Sequence, residues 1–272
     1  MYVEGARGVA ARLGCGATTI GRRLRQFCIA ARSRGPVPGF KTHNTPRRWT
    51  PEIAYAVGLI ATDGNLSKNR AQLSFVSKDL DQVETLRRCL QLQAPVFLAK
   101  APSGRFCNKT QWCDRGLYNW LVNVGLTPAK SLTLGPLAVP DEYFVDFFRG
   151  CIDGDGSVLV YTDRYHVQKK ECYVYERLYV SLVSASLPFL EWIRATIGRL
   201  LGFTGTIGVQ TRPGRRPIYK LRYAKRDSVR IIRWMYYVLT VPSLRRKRDA
   251  AAPFLTLREC PRRRGPGRPM VL

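Results

Sequence analysis

Two stretches of the chain share one pattern of apolar and polar positions. In "PEIAYAVGLIATDGNL" (51–66), Ile53, Ala56, Val57, Ile60 and Ala61 fall on one helical face. In "DEYFVDFFRGCIDGDGSV" (141–158), Phe144, Phe147, Phe148, Cys151 and Ile152 do the same. After each helix the period shifts to two, and "AQLSFVS" (71–77) and "RLYVSLVS" (177–184) read as strands. Each leads into a helix, "DLDQVETLRRCLQL" and "LPFLEWIRATIGRLL". Strand pairs follow near 95–100 with 105–112, and 205–211 with 217–224, and a closing helix ends each unit near 114–124 and 226–239. The chain is therefore expected to be α+β, with the order αββαββα occurring twice.

The flanks read differently. Residues 6–27 predict two short helices around a Gly14–Gly16 turn, a helix-turn-helix-like arrangement whose second helix carries Arg22, Arg23 and Arg25. Residues 35–51 hold four prolines and two glycines without apolar period, and read as a linker. The expected organisation is a helix-turn-helix-like segment (1–34), a linker (35–51), a first repeat (52–140), a second repeat (141–250) and a basic, disordered tail (251–272).

Charge narrows the function. The chain carries 45 Lys and Arg against 19 Asp and Glu, a net +26, and it is 45% hydrophobic. It can build a core, and its self-repulsion points to a polyanionic partner, nucleic acid above all. Eight cysteines include no C-x-x-C pair and there are two histidines, His43 and His166, so zinc-finger and H-E-x-x-H sites are excluded on spacing. A calcium loop beginning at Asp153 fails, because Val158 and Arg164 stand where Gly and Glu are required. No Walker-type phosphate loop occurs. Neither a signal peptide nor an apolar run of about 18 residues is present, so a soluble protein of the cytoplasm (bacterial or phage) or another intracellular compartment is expected.

The segments "AVGLIATDG" (56–64) and "RGCIDGDGS" (149–157) resemble the two copies of the motif that names the LAGLIDADG homing endonucleases. The resemblance covers roughly residues 52–240. The residue types also make physical sense. Gly58 and Gly150 let two helices approach backbone to backbone, and Gly64 and Gly156 are expected to leave each helix in the left-handed conformation. An Asp at a helix C-terminus is disfavoured by the helix dipole, a cost that a bound Mg²⁺ reverses. The resemblance implies two repeats forming a β-saddle on double-stranded DNA. It implies Asp63 and Asp155 as metal-binding catalytic acids, one per strand cut, with Gly154 in the metal-binding set and Mg²⁺ as cofactor. It implies hydrolysis of both strands of a long, nearly asymmetric site by a monomer. Asp153 is read as structural. Family members often carry a lysine at the end of a unit's fourth strand. Lys225 stands there in the second unit, whereas the first has Cys113, with Lys109 four residues early. Unequal halves are expected on that account.

The DNA contacts expected from strands and hairpin turns are Arg105, Arg164, Lys169, Lys170, Arg177, Arg212, Arg215, Arg216, Lys220 and Arg222. Two other readings stay open: an RNA maturase acting on intron RNA, and a regulator that binds DNA without cutting it. Met1 and the Val271-Leu272 ending do not match the residues an intein needs.

Overall fold

A computed structural model describes residues 6–29, 45–68, 70–100, 104–164 and 175–255. The chain separates into two compact units, Met1–Thr42 and His43–Leu272. In the first, helices α1 (Ala6–Arg12) and α2 (Ala17–Gln26) are joined through Gly14, whose φ of +62° only glycine adopts readily. Arg22, Arg23 and Arg25 are exposed along α2.

The second unit is built around α3 (Pro51–Thr62) and α6 (Phe144–Asp153). Thr50 starts α3 by accepting a hydrogen bond from the Ile53 amide, and Pro51 fits the first turn. Every residue from Ile53 to Ala61 is buried, so α3 is apolar on all sides and lies inside the core. It packs on α6 at Gly58 and Gly150. A Cβ on Gly58 would lie 2.1 Å from the Phe147 carbonyl, and one on Gly150 would lie 2.2 Å from that of Tyr55. Both glycines are thus required by contact between backbones, as the sequence predicts.

After α3 come β1 (Gly64–Leu66), β2 (Gln72–Ser77), α4 (Leu80–Cys89), β3 (Val96–Lys100), β4 (Phe106–Cys113) and α5 (Arg115–Val124). After α6 come β5 (Gly156–Asp163), β6 (Tyr175–Ser184), α7 (Leu187–Leu201), β7 (Thr206–Arg212), β8 (Arg215–Tyr223) and α8 (Lys225–Met235). This is the αββαββα order, twice. Each repeat makes one antiparallel four-stranded sheet, ordered β1-β2-β4-β3 and β5-β6-β8-β7. Alternation along the strands buries one face: Leu73, Phe75 and Trp112 in the first sheet, Leu178, Val180, Leu182, Leu221 and Tyr223 in the second. The second repeat packs a denser aromatic core, in which Phe144, Phe147, Phe189 and Trp192 meet ring to ring. Among the described residues no helix is long and apolar enough to cross a membrane.

Two expectations change. Gly64 and Gly156 are not left-handed. They begin β1 and β5, and glycine is needed there because a Cβ would strike Ile60 or Ile152 at 2.6 Å. A further helix, α9 (Arg245–Leu255), runs five residues into the segment assigned to the tail, since Ala251 and Phe254 are buried in the common core. Residues 256–272 lie outside the described part.

Candidate active site and nucleic-acid interface

Asp63 caps α3 and Asp155 follows the last turn of α6, so packing the two helices brings their C-terminal ends together. The approach is close. A Cβ on Gly154 would lie 2.0 Å from Thr62 Oγ1 and 3.1 Å from Asp63 Oδ2. Asp63 is half-buried, and its carboxyl pKa is pushed up to about 6 by burial and then by the charge of Asp155, against the pull of Lys247 and Lys130. Asp155 has more open surface. It lines a cleft of about 220 Å³ with Thr62, Ser131 and Val183, where lost hydration raises its pKa against Lys130 and Lys247. A neighbouring cleft of about 320 Å³ is lined by Asp63, Asn65, Thr127 and Lys130.

The two lysines were not singled out from the sequence. Lys130 follows α5 in "TPAKSLTL" and donates to the Gly64 carbonyl. Lys247 lies in α9 and reaches the carbonyls of Ile152 (2.6 Å), Asp153 (2.8 Å), Gly154 (3.2 Å) and Gly156 (2.7 Å). Gly64 and Gly156 are equivalent, each directly after its acid, so each repeat contributes one buried lysine to the same place. Burial lowers both lysine pKa values to about 8, opposed by the surrounding aspartates. Lys247 also satisfies the last carbonyls of α6. Its signal in the sequence was masked by the run "RRKR" (245–248), whose neighbours Arg245 and Arg246 point outward to Asp249 and Asp79.

Lys225 is not brought to the acids. It opens α8 and pairs with Glu176 at 3.2 Å, both being half-exposed. The inequality of halves expected from its missing counterpart therefore lapses. Lys109 lies on β4 over the Phe97 ring. Asp153 is fully buried and accepts from the Tyr55 hydroxyl (2.9 Å) and the Leu244 amide (2.7 Å), so it ties α3, α6 and the entry to α9 together. Its counterpart in the first repeat is Ala61, which explains why this acid has no twin.

Two oxygen-donor carboxylates at this junction fit a hard divalent cation such as Mg²⁺. Their mutual repulsion is what such an ion would relieve. No third His, Cys, Asp or Glu joins them among the described residues, so the remaining ligands would have to be carbonyl, water or phosphate oxygens. The Gly154 carbonyl already accepts from Lys247, which leaves it one lone pair.

Some of the residues expected to contact nucleic acid lie on the outer sheet faces. Register places Arg177 opposite Tyr161, Lys220 opposite Val183 and Arg222 opposite Ser181, all away from the core. Arg105, Arg164 and Arg216 are exposed near strand ends. Arg212 and Arg215 are register partners at the β7–β8 turn. Lys169 and Lys170 lie outside the described residues. The outer face of the first sheet is poorer in charge, with Gln72, Ser74, Lys109 and Gln111.

No protein-family model matches the chain, and no curated protein does. Among solved structures it is similar to I-DmoI in complex with DNA and Ca, at 16% identity and a TM-score of 0.48, with 75% of this chain and 96% of that one covered. It is similar to the I-LtrWI LAGLIDADG homing endonuclease bound to target DNA, at 13% identity and a TM-score of 0.47, covering 75% and 89%. It is also similar to full-length DUF199/WhiA from Thermatoga maritima, at 16% identity and a TM-score of 0.47, covering 79% and 63%. The family resembled in sequence thus recurs among the structural neighbours. Likeness at this level says nothing of activity.

Asp153 gives a prediction on stability. Burial raises its pKa to about 6, against about 3.9 for a free Asp. An acid whose pKa rises on folding weighs against the fold above pH 6, and this cost fades as pH falls toward 4. The lysines lowered to about 8 act in a different window, between about 8 and 10.4. In metal-free buffer, the melting temperature of wild type measured against Asp153→Asn should therefore rise on going from pH 7 to pH 5. Parallel pH curves for the two proteins would contradict the burial of an ionisable Asp153.

Proposed function

We propose that the chain is a LAGLIDADG-type, divalent-metal-dependent DNA endonuclease that acts as a monomer. The observation that carries this reading is the paired acids: Asp63 and Asp155, at the ends of two packed helices, with the acid form of Asp63 favoured by burial and by Asp155. Asp63 and Asp155 would hold the cation, one acid for each strand cut. A divalent ion bound there supplies Lewis acidity toward a phosphodiester. Lys130 and Lys247 offset the charge of the acids and of an approaching phosphate. With pKa values near 8, both can hold or release a proton close to neutral pH. The exposed cations of the outer sheet faces and of α2 would bind the DNA backbone, and α2 would extend the contact as the second helix of a helix-turn-helix.

The test is cleavage of a plasmid library of host sequences with Mg²⁺ or with EDTA. Wild type should linearise its target with Mg²⁺ alone. Asp63→Asn and Asp155→Asn should each lower double-strand cleavage by about 10³-fold while DNA binding persists. Tight binding by wild type without any cutting would instead favour a regulator that binds and does not cleave.

A further inference from the structure

Arg222, on the outer face of the second sheet, is not engaged by a carboxylate of the described residues as the nearby Arg177 and Lys225 are. Arg177 is engaged by Asp163 at 3.0 Å, and Lys225 by Glu176. Among the described residues, no ion pair or hydrogen bond holds the Arg222 guanidinium. It is held by a ring instead. Its Cζ lies 5.0 Å from the centroid of Tyr179, which stacks in turn on Tyr161 at 6.3 Å and an interplanar angle of 26°. An aromatic face takes up the face of a guanidinium and leaves the N–H donors at its edge available. The stack also restrains a long side chain, so less freedom is lost when those donors are used.

Position matters as much as availability. β8 is an interior strand of the sheet, and Arg222 lies between Ser181 on β6 and Thr206 on β7. Both neighbours are short, and Arg222 is exposed. Arg222 is the last but one residue of β8, so its place over a bound site comes from the cross-strand row it shares and not from the strand's midpoint. Ser157, two residues after Asp155, shares the cross-strand row of Ser181 and Arg222. The residue therefore belongs near the centre of a bound site and not at its outer end. Lys220, on the same face, is a point charge without a planar fork.

We propose that Arg222 reads a guanine in the half-site bound by the second repeat, through its O6 and N7 atoms, and that Tyr179 is its positioning residue. This rests on the DNA-binding reading above. The test is a binding selection by the full-length protein from a pool of random duplex DNA, with EDTA present to prevent cutting. Wild type should enrich guanine at one position near the centre of the site. Arg222→Gln should lower the preference for guanine there by about ten-fold, leaving the other positions unchanged. Tyr179→Leu should weaken discrimination at that same position, and Tyr179→Phe, which keeps the ring, should restore it. If Arg222→Gln weakens all sequences alike, Arg222 is a phosphate contact and the proposal fails while the DNA-binding reading stands. If wild type retains no DNA, both fall together.

Discussion

Gly150→Ala will cost this protein at least about 4 kcal/mol of a total stability of about 5–15 kcal/mol. In an ordinary helix interior the same change gains about 1 kcal/mol, because alanine is the better helix former. Here a methyl group would lie 2.2 Å from the Tyr55 carbonyl and 3.1 Å from Gly58 Cα and the Leu59 nitrogen. These are backbone atoms of a fully buried helix and cannot rotate aside. Relief requires α3 and α6 to separate, which loosens the apolar residues packed across them and pulls Asp63 from Asp155. Steric cost therefore outweighs propensity several-fold. The midpoint of urea unfolding should fall accordingly, and cleavage should fall with it. Gly21→Ala in α2, where a Cβ meets nothing within 4 Å, should be neutral or slightly stabilising. Equal midpoints for wild type and Gly150→Ala would mean that the two helices do not touch at their backbones.

Gly58 and Gly150 were legible in the sequence because small residues stood at matching places in two apolar helices, each followed by Asp-Gly. The strands were legible for a similar reason: Leu178, Val180 and Leu182 alternate with polar residues, and a period of two allows one assignment of faces. What escaped were groups whose role depends on chain folding back from a distance. Lys247 is reached through α9, and nothing local in its basic run distinguishes it from the exposed Arg245 and Arg246 or the half-buried Arg248. Lys130 opens a single 3-10 turn, Lys130–Leu132, too short to leave a period in the sequence. Arg149 shows the same effect. A charged residue beside Gly150, it is fully buried against Asp146 and donates to the carbonyls of Met235 (2.7 Å) and Pro242 (2.8 Å). Lys225 was placed by the resemblance, from its position at the end of the fourth strand, and in the structure it opens α8 and pairs with Glu176.

Lys247→Met should weaken the fold and, on the endonuclease reading, slow the cutting of one strand more than the other. The ammonium is buried among four carbonyls and faces Asp153, whose carboxyl is also buried. Methionine cannot donate, so buried carbonyls that the ammonium satisfied lose their partner, at about 1–3 kcal/mol each, and Asp153 loses a nearby opposite charge. Adding Asp153→Asn should recover part of that loss, and a double-mutant cycle on urea midpoints measures the coupling. The catalytic arm follows from how the cations are shared. Asp63 responds more to Lys247 than to Lys130, whereas Asp155 responds more to Lys130 than to Lys247. On that ordering each acid would be offset by the lysine of the other repeat, although Lys130 donates to Gly64 and Lys247 to Gly156, each beside the acid of its own repeat. On an end-labelled duplex, Lys247→Met should accumulate the same nicked strand as Asp63→Asn, and Lys130→Met the same strand as Asp155→Asn. The opposite assignment would mean that each lysine serves the acid of its own repeat. Equal slowing of both strands would mean that the two lysines act only by holding the helix ends in place.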